Sequence, residues 1–294
     1  MEQIWIPSIG DPSVLEVRSA PEPSPGVGEV RIQVEAAGVN FADLMARMGL
    51  YPDAPPLPSV VGYEVAGWID CVGDGVDPDR VGEPVVAMTR FGGYSSAVIC
   101  PALQARKRPD GLDAVTAAAI PVTSLTAWMM LEVMGGLKAG DRVLVHSAGG
   151  GVGLAALDLL KWKGAVAVGT ASAHKHSFLR QRGYSRLVDY RSEDFEAALS
   201  DEPGFDLILD PVGGDSWSKG LRLLRPGGRL VCFGMSSNAT GHTRSVLAAI
   251  RNLWRIPWTR FNPIWLINHN LGVLGVNMGH LWDEQERVTM WLDT

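Results

Sequence analysis

Apolar and polar positions alternate with a period of two in short bursts along the first third of the chain. EVRIQVEAAGV, EVAGWIDCVG and EPVVAMT are such runs, and the turn-rich stretches PSPGVGE and GDGVDPD separate them. Residues 1–120 therefore predict an irregular, mostly antiparallel β domain. A short helix is expected after Asn40, through FADLMARMG, with Gly49 stopping it. From about residue 122 the pattern changes. RVLVHSA, AVAVGTAS, RLVDY, FDLILDPV, GGRLVCFG and LGVLGVNMG read as apolar strands, with helical segments such as VGLAALDLLKWKG and HKHSFLRQRG among them. Strands alternating with helices at this spacing imply an α/β domain with a doubly wound parallel sheet.

The turn after the first of these strands reads Ala148-Gly149-Gly150-Gly151-Val152-Gly153. Glycine lets the backbone approach a pyrophosphate closely, and the N-terminus of the following helix supplies N–H donors and a positive dipole. A glycine cluster alone would equally fit a plain turn. Here it follows a strong strand, opens a helix and starts a series of βα units, which is the context of a dinucleotide site. A site that prefers NAD has an acid roughly 20 residues on, for the ribose hydroxyls. This chain has Gly169-Thr170-Ala171-Ser172 there, followed by Lys175. A hydroxyl and a cation suit a 2′-phosphate, so NADPH is the expected cofactor. The bland alternative for Lys175 is a solvated residue at a helix start.

Composition narrows the partners. The 294 residues carry a formal net charge of -6, which argues against a nucleic-acid partner. Three cysteines lie far apart with no CxxC pair, so neither a zinc knuckle nor a disulfide framework is indicated. No signal pattern is seen at the N-terminus, and a cytoplasmic protein is expected. The uncharged stretch Ala114–Leu131 contains Pro121 and several threonines, and it reads as buried helices around a bend rather than a membrane span.

Longer segments carry a specific resemblance that covers nearly the whole chain. AGVNFADLMARMGLYPDAPPLPSVVGYEVAG and HSAGGGVGLAALDLLKWKGA resemble the active-site segment and nucleotide turn of zinc-free quinone oxidoreductases, a branch of the medium-chain dehydrogenase/reductase family. GTASAHKHSFLRQRGYSRLVDYRSEDF and FNPIWLINHNLGVLGVNMGHLWDE are similar to its vesicle amine transport subgroup. The resemblance implies a GroES-like catalytic domain over 1–121, continued by 280–294, and a Rossmann domain over 122–279, with the active site in the cleft between them. It implies zinc-independent, NADPH-dependent reduction of a quinone or enone by a homodimer. Zinc enzymes of this fold have Cys in the first active-site loop and His in a GHE motif, where this chain has Asn40 and Gly62-Tyr63-Glu64, so no metal is expected.

By the same resemblance, Asn40, Tyr51 and Thr126 are the catalytic candidates beside substrate. Each has a structural alternative: helix N-cap for Asn40, packed aromatic for Tyr51, and a bond to its own helix backbone for Thr126. Ser172, Lys175 and Tyr190 are the implied 2′-phosphate set, and Gly234 and Asn277 lie beside the nicotinamide half. Family members continue a few dozen residues beyond a position like Thr294, whereas this chain stops inside the helical pattern EQERVTMWLDT; a truncated C-terminus is the expectation. The rival function is an NADPH-binding protein with a membrane or lipid role. Arg251, Arg255 and Arg260 with Trp254, Trp258 and Trp265 would form its interfacial surface.

Overall fold

Strand β1 (Glu2–Trp5) pairs antiparallel with β2 (Glu16–Ser19), a ribbon that the alternation pattern did not signal. Along β3 (Glu29–Ala37), Val30 and Ile32 enter a core while Arg31 and Gln33 take the other face. There Arg31 grips Asp70 through two bonds of 2.9 Å, and Gln33 Nε2 donates to the same carboxylate at 2.8 Å. The buried face joins Val65 and Ile69 of β4 (Glu64–Val72) to Val85 and Ala87 of β5 (Pro84–Met88). With β6 (Ala97–Pro101) and β7 (Ala105–Lys107) these form a five-stranded antiparallel sheet of order β6-β3-β4-β5-β7. Helix α1 (Phe41–Arg47) follows Asn40, and Gly49 beyond it has φ +67°, the left-handed stop that only glycine adopts freely.

This is a computed structural model, and it describes residues 1–236 and 261–294. The described chain forms two compact units, Met1–Leu125 with Met278–Thr294, and the residues between Thr126 and Asn277. The stretch around Pro121 forms two helices, as its pattern suggested. Pro121 opens the second one, α3 (Pro121–Trp128), after α2 (Ala114–Ala118), at the first position, where its missing N–H costs nothing. No helix among the described residues is long and apolar enough to cross a membrane.

The second unit holds six parallel strands: β8 (Arg142–Val145), β9 (Val166–Thr170), β10 (Arg186–Val188), β11 (Phe205–Asp210), β12 (Leu224–Cys232) and β13 (Gly272–Gly275). Their order is β10-β9-β8-β11-β12-β13. Period-two alternation now serves two cores. Val143, Val145, Leu207 and Leu209 pack against Ala156, Leu157 and Leu160 of helix α4 (Gly151–Lys163). Leu144, Val168 and Ile208 pack on the opposite face against Trp217 and Leu221 of the helix Asp215–Leu223. A sheet covered on both sides has apolar strands throughout, which is why the sequence read them as continuous runs.

The helix Gln285–Leu292 places Val288 with Met88 and Leu125 in a further small core of the first unit, and Asp293 receives a forked bond from Arg106. The arginines at 251, 255 and 260 and the tryptophans at 254 and 258 lie outside the described residues. Trp265 is described: it packs on the second-unit core and stacks on His269 at 4.0 Å.

Leu144 is fully buried at the centre of the parallel sheet. Leu144→Ala should lower unfolding free energy by about 2–5 kcal/mol, through lost transfer energy and the cavity left behind. Chemical denaturation checks this, with a shift below 1 kcal/mol counting against the packing described.

Candidate functional site

In the second unit the glycine turn lies beyond the carboxyl end of β8. Ser147 adopts φ 56°, and its carbonyl accepts from the Gly150 N–H at 2.9 Å, which folds the chain back sharply. The Ala148 N–H donates to Thr170 O at 3.0 Å and fastens the turn to the end of β9. Gly150 is extended (φ -93°, ψ 169°) at the N-cap, so α4 starts at Gly151. The N–H groups of the first helical turn, over Gly151, Val152 and Gly153, have no partner within the helix and carry its positive dipole end. A Cβ on Gly153 would stand 2.6 Å from Ala148 O and 2.7 Å from Ser147 O, so helix and turn approach more closely than any other residue allows.

Lys175, exposed ahead of α5 (His176–Arg182), reaches back to the same turn, where its Nζ donates to Gly149 O at 3.0 Å. Ser172 is buried, and its hydroxyl donates to the Tyr190 hydroxyl at 3.2 Å. The turn, Ser172, Lys175 and Tyr190 thus gather at the ends of β8, β9 and β10. Arg191 joins them. The Ser172 hydroxyl first, and Arg191 after it, hold the Tyr190 phenol below its usual range. Arg191 was not among the residues singled out from sequence, although a cation next to Tyr190 was visible there. The nearby Asp189 is already engaged by the Arg191 N–H at 3.1 Å and the Ser192 hydroxyl at 2.9 Å.

Gly234 and Asn277 follow β12 and β13 at the same end of the sheet. A Cβ on Gly234 would lie 3.0 Å from Pro211 O, so the loop after β11 passes close by. Sequence reading also missed a buried polar brace at the strand ends. Asp210 accepts from the N–H groups of Val212 (2.6 Å) and Gly213 (3.1 Å) and from the Ser216 hydroxyl (2.5 Å). His146 meets Thr170 Oγ1 at 3.0 Å, and its burial lowers its proton affinity. These groups fix the loops on both sides of the point where the strand order reverses.

In the first unit Asn40 does two jobs. By position it is the N-cap of α1, and its backbone N–H donates to Asp43 Oδ2 at 2.8 Å. Its side-chain Nδ2 goes elsewhere, to Glu64 Oε1 at 2.8 Å. Glu64 Oε2 accepts from the Val122 N–H at 2.8 Å, in the first turn of α3. Glu64 is 1% exposed, and burial pushes its carboxyl up to about 7 against the opposing pull of those two donors. Asp43 is also buried, accepts from the Gly62 N–H at 3.1 Å, and is raised by the same cause.

Tyr51 packs on Ile6, Ala46 and Val61 and also lines a cavity of 270 Å³ with Tyr63, Phe91, Arg90 and Trp282. Its ring meets Tyr63 edge-on at 6.3 Å, and Tyr63 meets Phe91 at 5.6 Å. Burial raises both phenols, so each stays protonated and able to donate at neutral pH. Thr126 sits half-buried on α3, in the second unit. The structure thus unites the phosphate candidates around one turn and ties Asn40 to Glu64, a residue outside the expected set.

The first unit is thus an antiparallel β domain, and the second a parallel sheet of Rossmann type with a glycine turn after its first strand. The Alcohol dehydrogenase GroES-like domain matches residues 26–110, and the Zinc-binding dehydrogenase domain matches residues 151–293. The chain is 40% identical to the Synaptic vesicle membrane protein VAT-1 homolog of Rattus norvegicus over 280 residues, 94% of this chain and 68% of the relative. Among solved structures, Escherichia coli quinone oxidoreductase complexed with NADPH superposes with a TM-score of 0.84 at 30% identity, over 100% of this chain and 86% of the other. Human synaptic vesicle membrane protein VAT-1 homolog-like protein gives 0.81 at 29% identity, over 100% and 83%. The chain belongs to the medium-chain dehydrogenase/reductase family of oxidoreductases, alongside the VAT-1 homologues.

Gly153→Ala places a methyl group against two backbone carbonyls that no side-chain rotation can relieve. It should cost about 1–3 kcal/mol of stability by overpacking. It should also weaken dinucleotide binding more than Gly164→Ala, a change at the open C-terminal end of α4. Thermal melts beside cofactor titration check both effects, and equal binding by the two variants would contradict the close approach.

Proposed function

We propose that this chain is an NADPH-dependent oxidoreductase that reduces a quinone or an α,β-unsaturated carbonyl without zinc. The observation that carries the reading is the cluster of Ser172, Lys175, Tyr190 and Arg191 at the ends of β9 and β10, where an acid would favour NAD. The second unit's residues fit the cofactor. A Cβ on Gly149 would stand 2.6 Å from the Lys175 side chain and one on Gly153 2.6 Å from Ala148 O, so glycine permits this tight turn, α4 offers its N-terminal N–H groups to the pyrophosphate, and the hydroxyls and cations suit a 2′-phosphate. NADPH, when bound, supplies the hydride.

The chain's own residues then have to bind the acceptor and steady the negative charge that develops on its oxygen. Asn40 and Tyr51 are the proposed donors, with Thr126 second. A neutral amide and a phenol kept protonated by burial can both donate to that oxygen as it gains charge. The aromatic cavity beside Tyr51 suits a flat, conjugated acceptor. Asn40 and Tyr63 stand where the zinc enzymes have Cys and His, and an amide with a phenol is a poor ligand pair for Zn²⁺. The reading is tested by NADPH oxidation with a panel of quinones and enones, run with and without a strong chelator. Absence of turnover despite tight NADPH binding would sink it.

Two mutational outcomes are expected. Lys175→Ala should weaken NADPH binding about ten- to a hundredfold and leave NADH binding nearly unchanged, since only the 2′-phosphate needs the cation. Fluorescence titration with both cofactors decides this, and equal losses would remove Lys175 from phosphate recognition. Asn40→Ala and Tyr51→Phe should each lower single-turnover reduction by about 2.7–4 kcal/mol of barrier while NADPH affinity holds. Unchanged turnover in either variant would take that residue out of the site.

A further inference from the structure

The Glu64 carboxylate is withdrawn from solvent, yet neither of its oxygens is idle. Oε1 accepts from the Asn40 side chain and Oε2 from the Val122 N–H, both at 2.8 Å. The fold keeps room for it: a Cβ on Gly38 would lie 2.3 Å from Glu64 Oε1. We propose that Glu64 is a positioning residue, whose carboxylate fixes the orientation of the Asn40 amide and locks it to the start of α3. This deepens the proposed function and rests on the reading that Asn40 faces the substrate oxygen.

The physical reason lies in the asparagine side chain. Its last torsion is soft and roughly two-fold, so a half-turn exchanges the donor NH₂ for the acceptor oxygen. An asparagine that presents oxygen to a developing oxyanion repels it. An ionised carboxylate is acceptor-only, so only Nδ2 can face Glu64. The second hydrogen of the same NH₂ then has a fixed direction. The Val122 N–H belongs to a helix first turn, whose positive end favours the ionised carboxylate and holds it from the other side. Protonation of Glu64 would leave one good acceptor where the Asn40 and Val122 donors need one each.

Glu64→Gln has nearly the same shape but offers one acceptor where two donors need one each. Its turnover should fall on the order of a hundredfold, the cost of a displaced catalytic group. NADPH affinity should stay within about twofold of the unmodified chain's. The unmodified chain should lose turnover as pH falls through about 7, because burial raises the Glu64 carboxyl to that range. Asp43 on α1 and Tyr94 are the other titratable groups close to it. Since Asp43 is itself raised, the deciding comparison is whether Glu64→Gln abolishes that acid limb. Should Glu64→Gln fail to fold, Glu64→Asp keeps the charge but draws it back by one methylene, and it should lose turnover while retaining the limb.

A double-mutant cycle with Asn40→Ala completes the test. If Glu64 acts through Asn40, adding Glu64→Gln to Asn40→Ala should lower turnover no further. Additive losses, or an unaltered acid limb in Glu64→Gln, would overturn the proposal while leaving Asn40 in the site. A harmless Asn40→Ala would instead overturn the reading of Asn40, and the positioning role with it.

Discussion

A parallel sheet buried on both faces can present chemistry only at its strand ends, and the second unit is organised by that constraint. Its order, β10-β9-β8-β11-β12-β13, reverses direction between β8 and β11. Connections there leave in opposite directions, and the carboxyl ends open a crevice that suits a dinucleotide. The glycine turn, the Ser172–Tyr190 pair and Lys175 lie at those ends because the strands that precede them stop there. The close packing of Gly153 on Ala148 and Ser147 sets the turn's shape, and the turn's shape aims the helix dipole.

Three buried carboxylates hold the two neighbourhoods in place, and each is satisfied by a local network. Asp210 collects two backbone N–H groups and a hydroxyl, which fixes the loop after β11. Asp43 collects the N–H groups of Asn40 and Gly62, so the start of α1 and the approach to β4 are tied to one carboxylate. Glu64, the neighbour of Tyr63, does the same for α1 and α3. Such groups are costly to bury, and removing one partner strands the rest; that cost makes each network specify one geometry.

Membership of the medium-chain dehydrogenase/reductase family sets what the scaffold can do, while the residues at the site set what this chain does with it. A match to the Zinc-binding dehydrogenase domain does not supply zinc ligands. In the proposed reading, Asn40 and Tyr63 stand where zinc enzymes of this fold have soft and imidazole donors, and neutral hydrogen-bonding groups take their place. Glu64, next to Tyr63, holds the Asn40 amide.

Much of this was written in the chain itself. Period-two alternation gave the antiparallel strands, unbroken apolar runs gave the doubly covered sheet, and Gly49 gave the stop of α1, because each of these is a local rule of backbone and burial. The glycine turn and the missing acid were also legible at fixed offsets along one βα unit, whereas Tyr190 entered as a candidate through the family resemblance. Other features depended on contacts between distant positions. The β1–β2 ribbon is too short to declare itself, Arg191 needed the Tyr190 hydroxyl beside it, and His146 read as part of a strand until Thr170 and Asp210 closed around it. Asn40 shows the division most sharply. Its sequence position made it both a helix cap and a catalytic candidate. Only the approach of Glu64, 24 positions away, gave the backbone the first role and directed the side chain elsewhere, because a buried carboxylate draws in the donors that tertiary packing brings within reach.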